Sequence, residues 1–154
     1  MASSLEHIRH SFAHLLAAAI TELYPSAKNT IGPAIDNGFY YDFEFATDEM
    51  PSEKEFEKIE KTMRTILKTW KGFEGKEVNA NEAKHLFEHN PYKLELINDI
   101  ISKGELLTLY TSGSFTDLCR GGHANTSDMK PDVFKLSRIA GAYWKGDEKN
   151  KMLT

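Results

Sequence analysis

The sequence contains a single cysteine, Cys119, so no disulfide can close within the 154-residue chain, and a reducing compartment is the expected setting. No apolar run approaches the length of a membrane span. The start of the chain, residues 1–16, places Glu6 and the histidines His7, His10 and His14 where a secretory signal needs a basic start and an apolar core. No membrane association is expected, and a cytoplasmic location follows. Positive charge is not in excess either: 19 Lys and Arg against 23 Asp and Glu leave a net charge of -4. That balance argues against nonspecific wrapping of a nucleic acid backbone, while a local contact with a nucleic acid end stays open. Internal repeats, low-complexity tracts and Gly/Ser linkers are also lacking, which predicts one domain over residues 1–154. What is present is 40% hydrophobic and 27% charged, the composition of a soluble globular domain. At this length folding buries roughly 70% of the surface of the unfolded chain, so the core requires neither a disulfide nor a structural metal.

Ser3 followed by Glu6 reads as a capping box, and Leu5, Ile8, Phe12, Leu15, Leu16, Ala19 and Leu23 follow the helical period up to Pro25. Segments 30–35 and 38–45 flank the turn residues Asp36-Asn37, and Phe39, Tyr41, Phe43 and Phe45 alternate with polar neighbours, which predicts a hairpin with one aromatic face. A second capping box at Ser52 and Glu55 opens a helix whose stripe is Phe56, Ile59, Met63, Ile66, Leu67 and Trp70 and which ends near Gly72. A strand at 73–78, a helix after Asn79 or Asn81, and a helix opened by Asn90-Pro91 and closed by Gly104 follow. Strands are then expected at 106–111, at 114–118 and within 133–144. Without regular βαβ alternation, this is an α+β domain: a mainly antiparallel sheet packed with helices, with its cleft between the N-terminal helix and the sheet.

His10 and His14 are four apart on the first helix, stacked on one face roughly opposite the apolar stripe, with His7, Ala17, Ala18 and Thr21 beside them. Small residues and imidazoles there, instead of lysine and glutamate, mark the wall of a cleft. The other wall is expected from Thr116 to His123, a strand running into a glycine loop that presents Asp117, Cys119 and His123. Together HxxxH and CxxxH supply three imidazoles and a thiolate, the donor set of a tetrahedral zinc site: His10, His14, Cys119 and His123. Either pair alone is commonly structural; both in one short chain point to chemistry.

The blocks His10-Ser11-x-x-His14-Leu15-Leu16, Ile31-Gly32-Pro33-x-Ile35-Asp36-Asn37-Gly38-Phe39-Tyr40-Tyr41-Asp42, Asp117-x-Cys119-Arg120-Gly121-x-His123 and Lys135-Leu136-x-Arg138-x-Ala140-Gly141-Ala142-Tyr143-Trp144-Lys145-Gly146-Asp147 resemble, in order, the editing domain of bacterial-type threonyl-tRNA synthetases. Alanyl-tRNA synthetase editing domains and free-standing alanyl-tRNA deacylases share the histidine and cysteine spacing, whereas the second and fourth blocks point to the threonyl branch. The resemblance implies an aminoacyl-tRNA deacylase, an ester hydrolase that releases serine and free tRNA from mischarged seryl-tRNA(Thr). Its partners would be the aminoacylated CCA end of tRNA(Thr), the serine moiety and the other domains of a synthetase. No class II catalytic core with its ATP motifs is in the sequence, so a domain of a longer synthetase or a short free-standing deacylase is expected.

Hydrolysis of an ester needs an activated water, a stabilised oxyanion and groups that hold the substrate. On the family pattern His10 orients or deprotonates water, His14 and His123 complete the polar wall, and Lys93 fixes a water or neutralises the oxyanion. Asp117 accepts from the substrate ammonium or serine hydroxyl, and Cys119 is a nucleophile, a metal ligand or a wall of the serine pocket, the nucleophile having the least support because nothing in the sequence argues for an acyl-enzyme step. Phe39 and Tyr41 either stack the terminal adenine or belong to the core. Gly32 allows close backbone approach, Arg120 meets a phosphate, and Tyr143 and Trp144 are packing residues. No cofactor is required on this reading, though zinc is compatible with the donor set. The rival readings are a zinc-dependent alanyl-type deacylase acting on Ser- or Gly-tRNA(Ala), and a non-catalytic aminoacyl-tRNA binding module.

Overall fold

A computed structural model describes residues 2–154. Helix α1 spans Leu5–Leu23, and its N-cap is Ser4, whose side chain accepts from the His7 N–H, rather than the expected Ser3. Ser3 is drawn away by the far end of the chain: its backbone N–H and hydroxyl both donate to Asp128, and its hydroxyl accepts from the Asn125 N–H. From Ser11 to Ile20 the helix is buried on every side, so it is the central element of the fold.

The predicted hairpin is present but broken in two. Strand β1 (Lys28–Asn29) pairs with β4 (Phe43–Glu44), while β2 (Ala34–Ile35) pairs with β3 (Gly38–Phe39) around the Asp36-Asn37 turn. The two registers differ by one residue, with the extra residue on the first strand around Gly32-Pro33, and proline there cannot supply a ladder donor. Gly32 is required by close packing: a Cβ would fall 2.5 Å from the Tyr40 carbonyl oxygen and 2.6 Å from Tyr41 Cγ. The aromatic face holds, with Tyr41 and Phe43 buried and Phe39 and Phe45 packed at its ends.

Helix α2 (Phe56–Leu67) follows a short 3-10 turn at Glu53–Glu55, and Ser52 caps without a side-chain bond, so the second capping box is not formed. It also ends earlier than Gly72. Its Ile59, Met63 and Leu67 pack on α1 around Leu15 and Ala19 to form the main core; each such fully buried side chain contributes about 1.5–3 kcal/mol. Strand β5 (Glu74–Val78) is the edge of a three-stranded antiparallel sheet with β6 (Leu107–Ser112) in the middle and β7 (Phe115–Leu118) on the far side. Gly113, at φ +58, makes the tight turn between β6 and β7.

Between β5 and β6 lie α3 (Ala80–Leu86) and α4 (Pro91–Ser102), each opened by an asparagine: Asn79 accepts from the Glu82 N–H, and Asn90 from those of Tyr92 and Lys93. The strand expected within 133–144 shrinks to β8 (Ala142–Tyr143), paired with β9 (Met152–Leu153). The stretch before it is irregular because it docks on α2 through side chains. Glu60 accepts from the Leu136 N–H, and Arg64 donates to the Pro131 carbonyl and lies over the Phe134 ring. The result is an α+β fold with only small antiparallel sheets.

Candidate functional site

The α1 segment from His10 to His14 lies against the loop that leaves β7. Gly121 and Gly122 adopt φ +106 and +88, the left-handed region that lets the chain double back toward the helix. Ser11, fully buried, donates to the His7 carbonyl and accepts from the Ala124 N–H at 2.8 Å, which pins the end of the loop to the helix beside His10. The Gly122 carbonyl then faces His10 Nδ1 at 3.0 Å.

Four side chains converge there. His10 Nε2 lies 3.2 Å from His14 Nε2 and 3.5 Å from Cys119 Sγ, and Cys119 Sγ lies 3.4 Å from His123 Nε2. The four ligand atoms all fall within 4.8 Å of one another. Phe73 stacks on the His123 ring at 4.2 Å between centroids, and Tyr110 packs on it at 4.6 Å, so the cluster has aromatic walls from β6 and the residue before β5.

A buried chain of charge stands behind it. His14 Nδ1 is 3.3 Å from Asp117 Oδ2, and Lys93 Nζ is 2.7 Å from Asp117 Oδ1. Lys93 is 2% exposed and Asp117 1%, so both are buried rather than solvated. The Tyr41 hydroxyl donates to Asp117 at 2.7 Å and accepts from Lys93 and Asn29, each at 3.1 Å. Asn90, the α4 cap, also donates to the Asn29 carbonyl at 2.8 Å, which ties the start of α4 to β1 and fixes where Lys93 enters. Among the described residues no buried side-chain polar atom lacks a partner.

The charges follow from these contacts. Burial alone would raise Asp117, but the Lys93 ammonium and then His14 hold it well below the ordinary carboxylate range. Burial would likewise lower His14, yet Asp117 and Cys119 outweigh it and bring its pKa up to about 9. For Cys119 burial opposes ionisation, and hydrogen bonds from His10, His123 and His14 overcome it, leaving a thiolate with a pKa of about 4. Burial and then the neighbouring His14 and His10 push His123 down, against the pull of Cys119, while burial and Asp117 keep the Tyr41 phenol protonated. At neutral pH the cleft therefore holds a His14 imidazolium beside a Cys119 thiolate, backed by a Lys93–Asp117 pair.

The donor set fits zinc. With Nδ1 of His10 on the Gly122 carbonyl and Nδ1 of His14 on Asp117, both Nε2 atoms point inward alongside Cys119 Sγ and His123 Nε2, as supporting hydrogen bonds orient imidazole ligands at metal sites.

His10, His14, Lys93, Asp117, Cys119 and His123 are thus brought together in one connected group. Tyr41 joins that group through its hydroxyl, and its ring is buried beside Phe43. Phe39 is half-buried and stacks on Phe12, and Gly32 sits under Tyr41. Arg120 is not drawn into the group: it is exposed and pairs with Glu105 at 2.7 Å. Trp144 is buried edge-on against Tyr92, whereas Tyr143 is exposed. Sequence reasoning missed Ser11, Asn29, Phe73 and Tyr110. Only Ser11 carried a signal, as a small polar residue inside the helix next to His10.

No family model matches the chain. It is 52% identical over 150 residues to the threonine–tRNA ligase of Staphylococcus aureus strain JH9, and equally to that of strain Newman. The match covers 97% of this chain and 23% of each relative, so the chain spans about a quarter of their length. No helix among the described residues is long and apolar enough to cross a membrane.

Proposed function

Since the chain is a relative of one segment of the threonyl-tRNA synthetase family, we propose that this segment is the editing domain, a deacylase that hydrolyses seryl-tRNA(Thr) to serine and free tRNA. The observation that carries the reading is the convergence of His10, His14, Cys119 and His123 in front of the buried Lys93–Asp117 pair. The need for it is physical. Threonine exceeds serine by one methyl, which a binding pocket discriminates by only about 1–3 kcal/mol, so a second hydrolytic sieve is required.

In the proposed reaction the CCA end delivers the ester to the cleft, and water attacks the carbonyl carbon. His10 is the base: with its Nδ1 on the Gly122 carbonyl, its Nε2, which in the resting cleft faces His14 Nε2 and Cys119 Sγ, is the atom that takes the proton from water. The His14 imidazolium, held charged by Asp117, donates toward the developing oxyanion. The bond from the carbonyl carbon to the ribose oxygen breaks, and the proton on His10 passes to that oxygen. Lys93 acts through Asp117 as a positioning residue, because its ammonium is buried against the carboxylate and the Tyr41 hydroxyl. Asp117 is proposed to accept from the substrate ammonium or serine hydroxyl, and Phe39 and Arg120 to meet the terminal adenosine and a phosphate.

Zinc held by His10, His14, Cys119 and His123 would neutralise the thiolate. With four protein donors the metal would be coordinatively closed, the arrangement of structural rather than catalytic zinc, and this favours hydrolysis by the side chains themselves. The alanyl-type zinc reading keeps its support from the same four donors. Both are tested by incubating the chain with Ser-tRNA(Thr), Thr-tRNA(Thr) and Ser-tRNA(Ala). Release of serine from the first, with threonine largely spared, is expected; equal loss of serine and threonine would refute the sieve. Chelator-sensitive release from Ser-tRNA(Ala) alone would move the assignment to the alanyl class. No turnover on any of the three would leave a binding module.

A further inference from the structure

On the side of α1 away from the histidine cluster, an open groove of about 720 Å³ separates the β3–β4 strand from the stretch leading into β8. Its floor is apolar, built from Leu16, Ile20, Phe43, Phe56 and Ile59. Both walls are unpaired backbone. On one side Asp42 spends its N–H and C=O on the first hairpin strand, so the N–H and C=O of its neighbour Tyr41 face the groove, and among the described residues no backbone group bonds to them. On the other side Ser137 to Ala140 make no backbone-to-backbone hydrogen bond among the described residues.

The ladder that would fill this gap already begins at its end. Leu153 pairs with Ala142 on one flank, and Thr154 exchanges both backbone bonds with Phe43 on the other, at 2.7 and 2.9 Å, so β9 sits between β4 and β8. An antiparallel strand directs alternate residues to opposite neighbours. Carried forward in the same registers, the next residue would fall opposite Ala140, the second opposite Tyr41 and the third opposite Arg138. Each wall thus presents a partner in phase with a single continuing strand. The second residue would share a face with Tyr41 and Phe43, and so would point into the apolar floor.

We propose that this groove is a strand-acceptor site for an extended polypeptide segment that continues β9 and has an apolar side chain at its second position. In the relatives, of which the matched region is 23%, that strand would be the segment following the position equivalent to Thr154. Its arrival would join β3–β4 and β8 into one sheet and close the core beneath α1, the helix that carries His10 and His14. The inference stands apart from the editing reading, and its readout does not involve deacylation.

The test extends this chain after Thr154 by the eight residues that follow the position equivalent to Thr154 in the S. aureus relative, and compares backbone amide exchange with the parent. Exchange at Tyr41 and Arg138 is expected to slow by at least about 10-fold, with a higher Tm. Proline as the second added residue keeps the carbonyl that accepts from the Tyr41 N–H but cannot donate to the Tyr41 carbonyl, so the protection at Tyr41 should fall below that given by the unsubstituted extension. Should the extended chain be insoluble, the same eight residues are added to the parent as a free peptide, with the same expected protection. Unchanged exchange at Tyr41 and Arg138 in either format overturns the proposal, as does protection of these amides by a CCA trinucleotide but not by the peptide.

Discussion

The two sides of α1 differ in how their polar groups are satisfied. Toward β7, every buried side-chain donor and acceptor has a partner, and charge runs from Lys93 through Asp117 to His14 and on to Cys119. Toward β8, apolar side chains line an open groove whose flanking backbone at Tyr41 and Ser137 to Ala140 is unpaired. The first side is complete in itself, with its polar groups in place before a ligand arrives; the second is an acceptor, and its stability depends on what lies in it.

Removing Lys93 should break this contrast most. In Lys93→Met the Asp117 carboxylate is left buried without its ammonium, and unfolding titrations should show a loss of about 3–5 kcal/mol. Arg120→Met, which removes the exposed pair with Glu105, should cost at most about 1 kcal/mol. Equal losses would mean the buried pair is no more important than a surface one.

Gly32→Ala is expected to come next, at about 1–3 kcal/mol, because the new methyl meets Tyr41 and the Tyr40 carbonyl on the strand shared by both sides. Amide exchange should report loosening around Tyr41 together with a loss of order at Asp117. A change confined to the groove would show that the two sides are independent.

The smallest effect concerns pH. The pKa of His14 is raised by folding from 6.5 to about 9, so its stabilising contribution is complete below 6.5 and is lost as pH rises through 9. The Tm advantage of the parent over His14→Gln should therefore shrink between pH 6.5 and 10. A constant advantage across that range would show that His14 is neutral in the folded protein.

Local patterns in the sequence were enough to place α1, α2, α4, the β6–β7 turn and the three histidines and cysteine of the cleft, because helical period, asparagine caps and close histidine spacing act within a few residues, whereas Lys93 was singled out by the family resemblance. Long-range partners were not legible. Asp128 takes Ser3 from the cap it was expected to form, and Tyr41 turns its hydroxyl to a carboxylate 76 residues away. The expected strand within 133–144 is short because its backbone is held by Glu60 or faces the groove, and strand propensity alone does not supply a partner. Lys93 was legible as a candidate, but its burial follows from the tie between Asn90 and Asn29 across the fold.

The central claim, that the side chains of this cleft hydrolyse the ester, is tested most directly by single-turnover release of serine from Ser-tRNA(Thr), comparing chelator-treated parent with His10→Ala. The account predicts that the treated parent keeps its rate and that His10→Ala loses about 10- to 1,000-fold. Full activity in His10→Ala, together with complete loss of activity in the chelated parent, would contradict it.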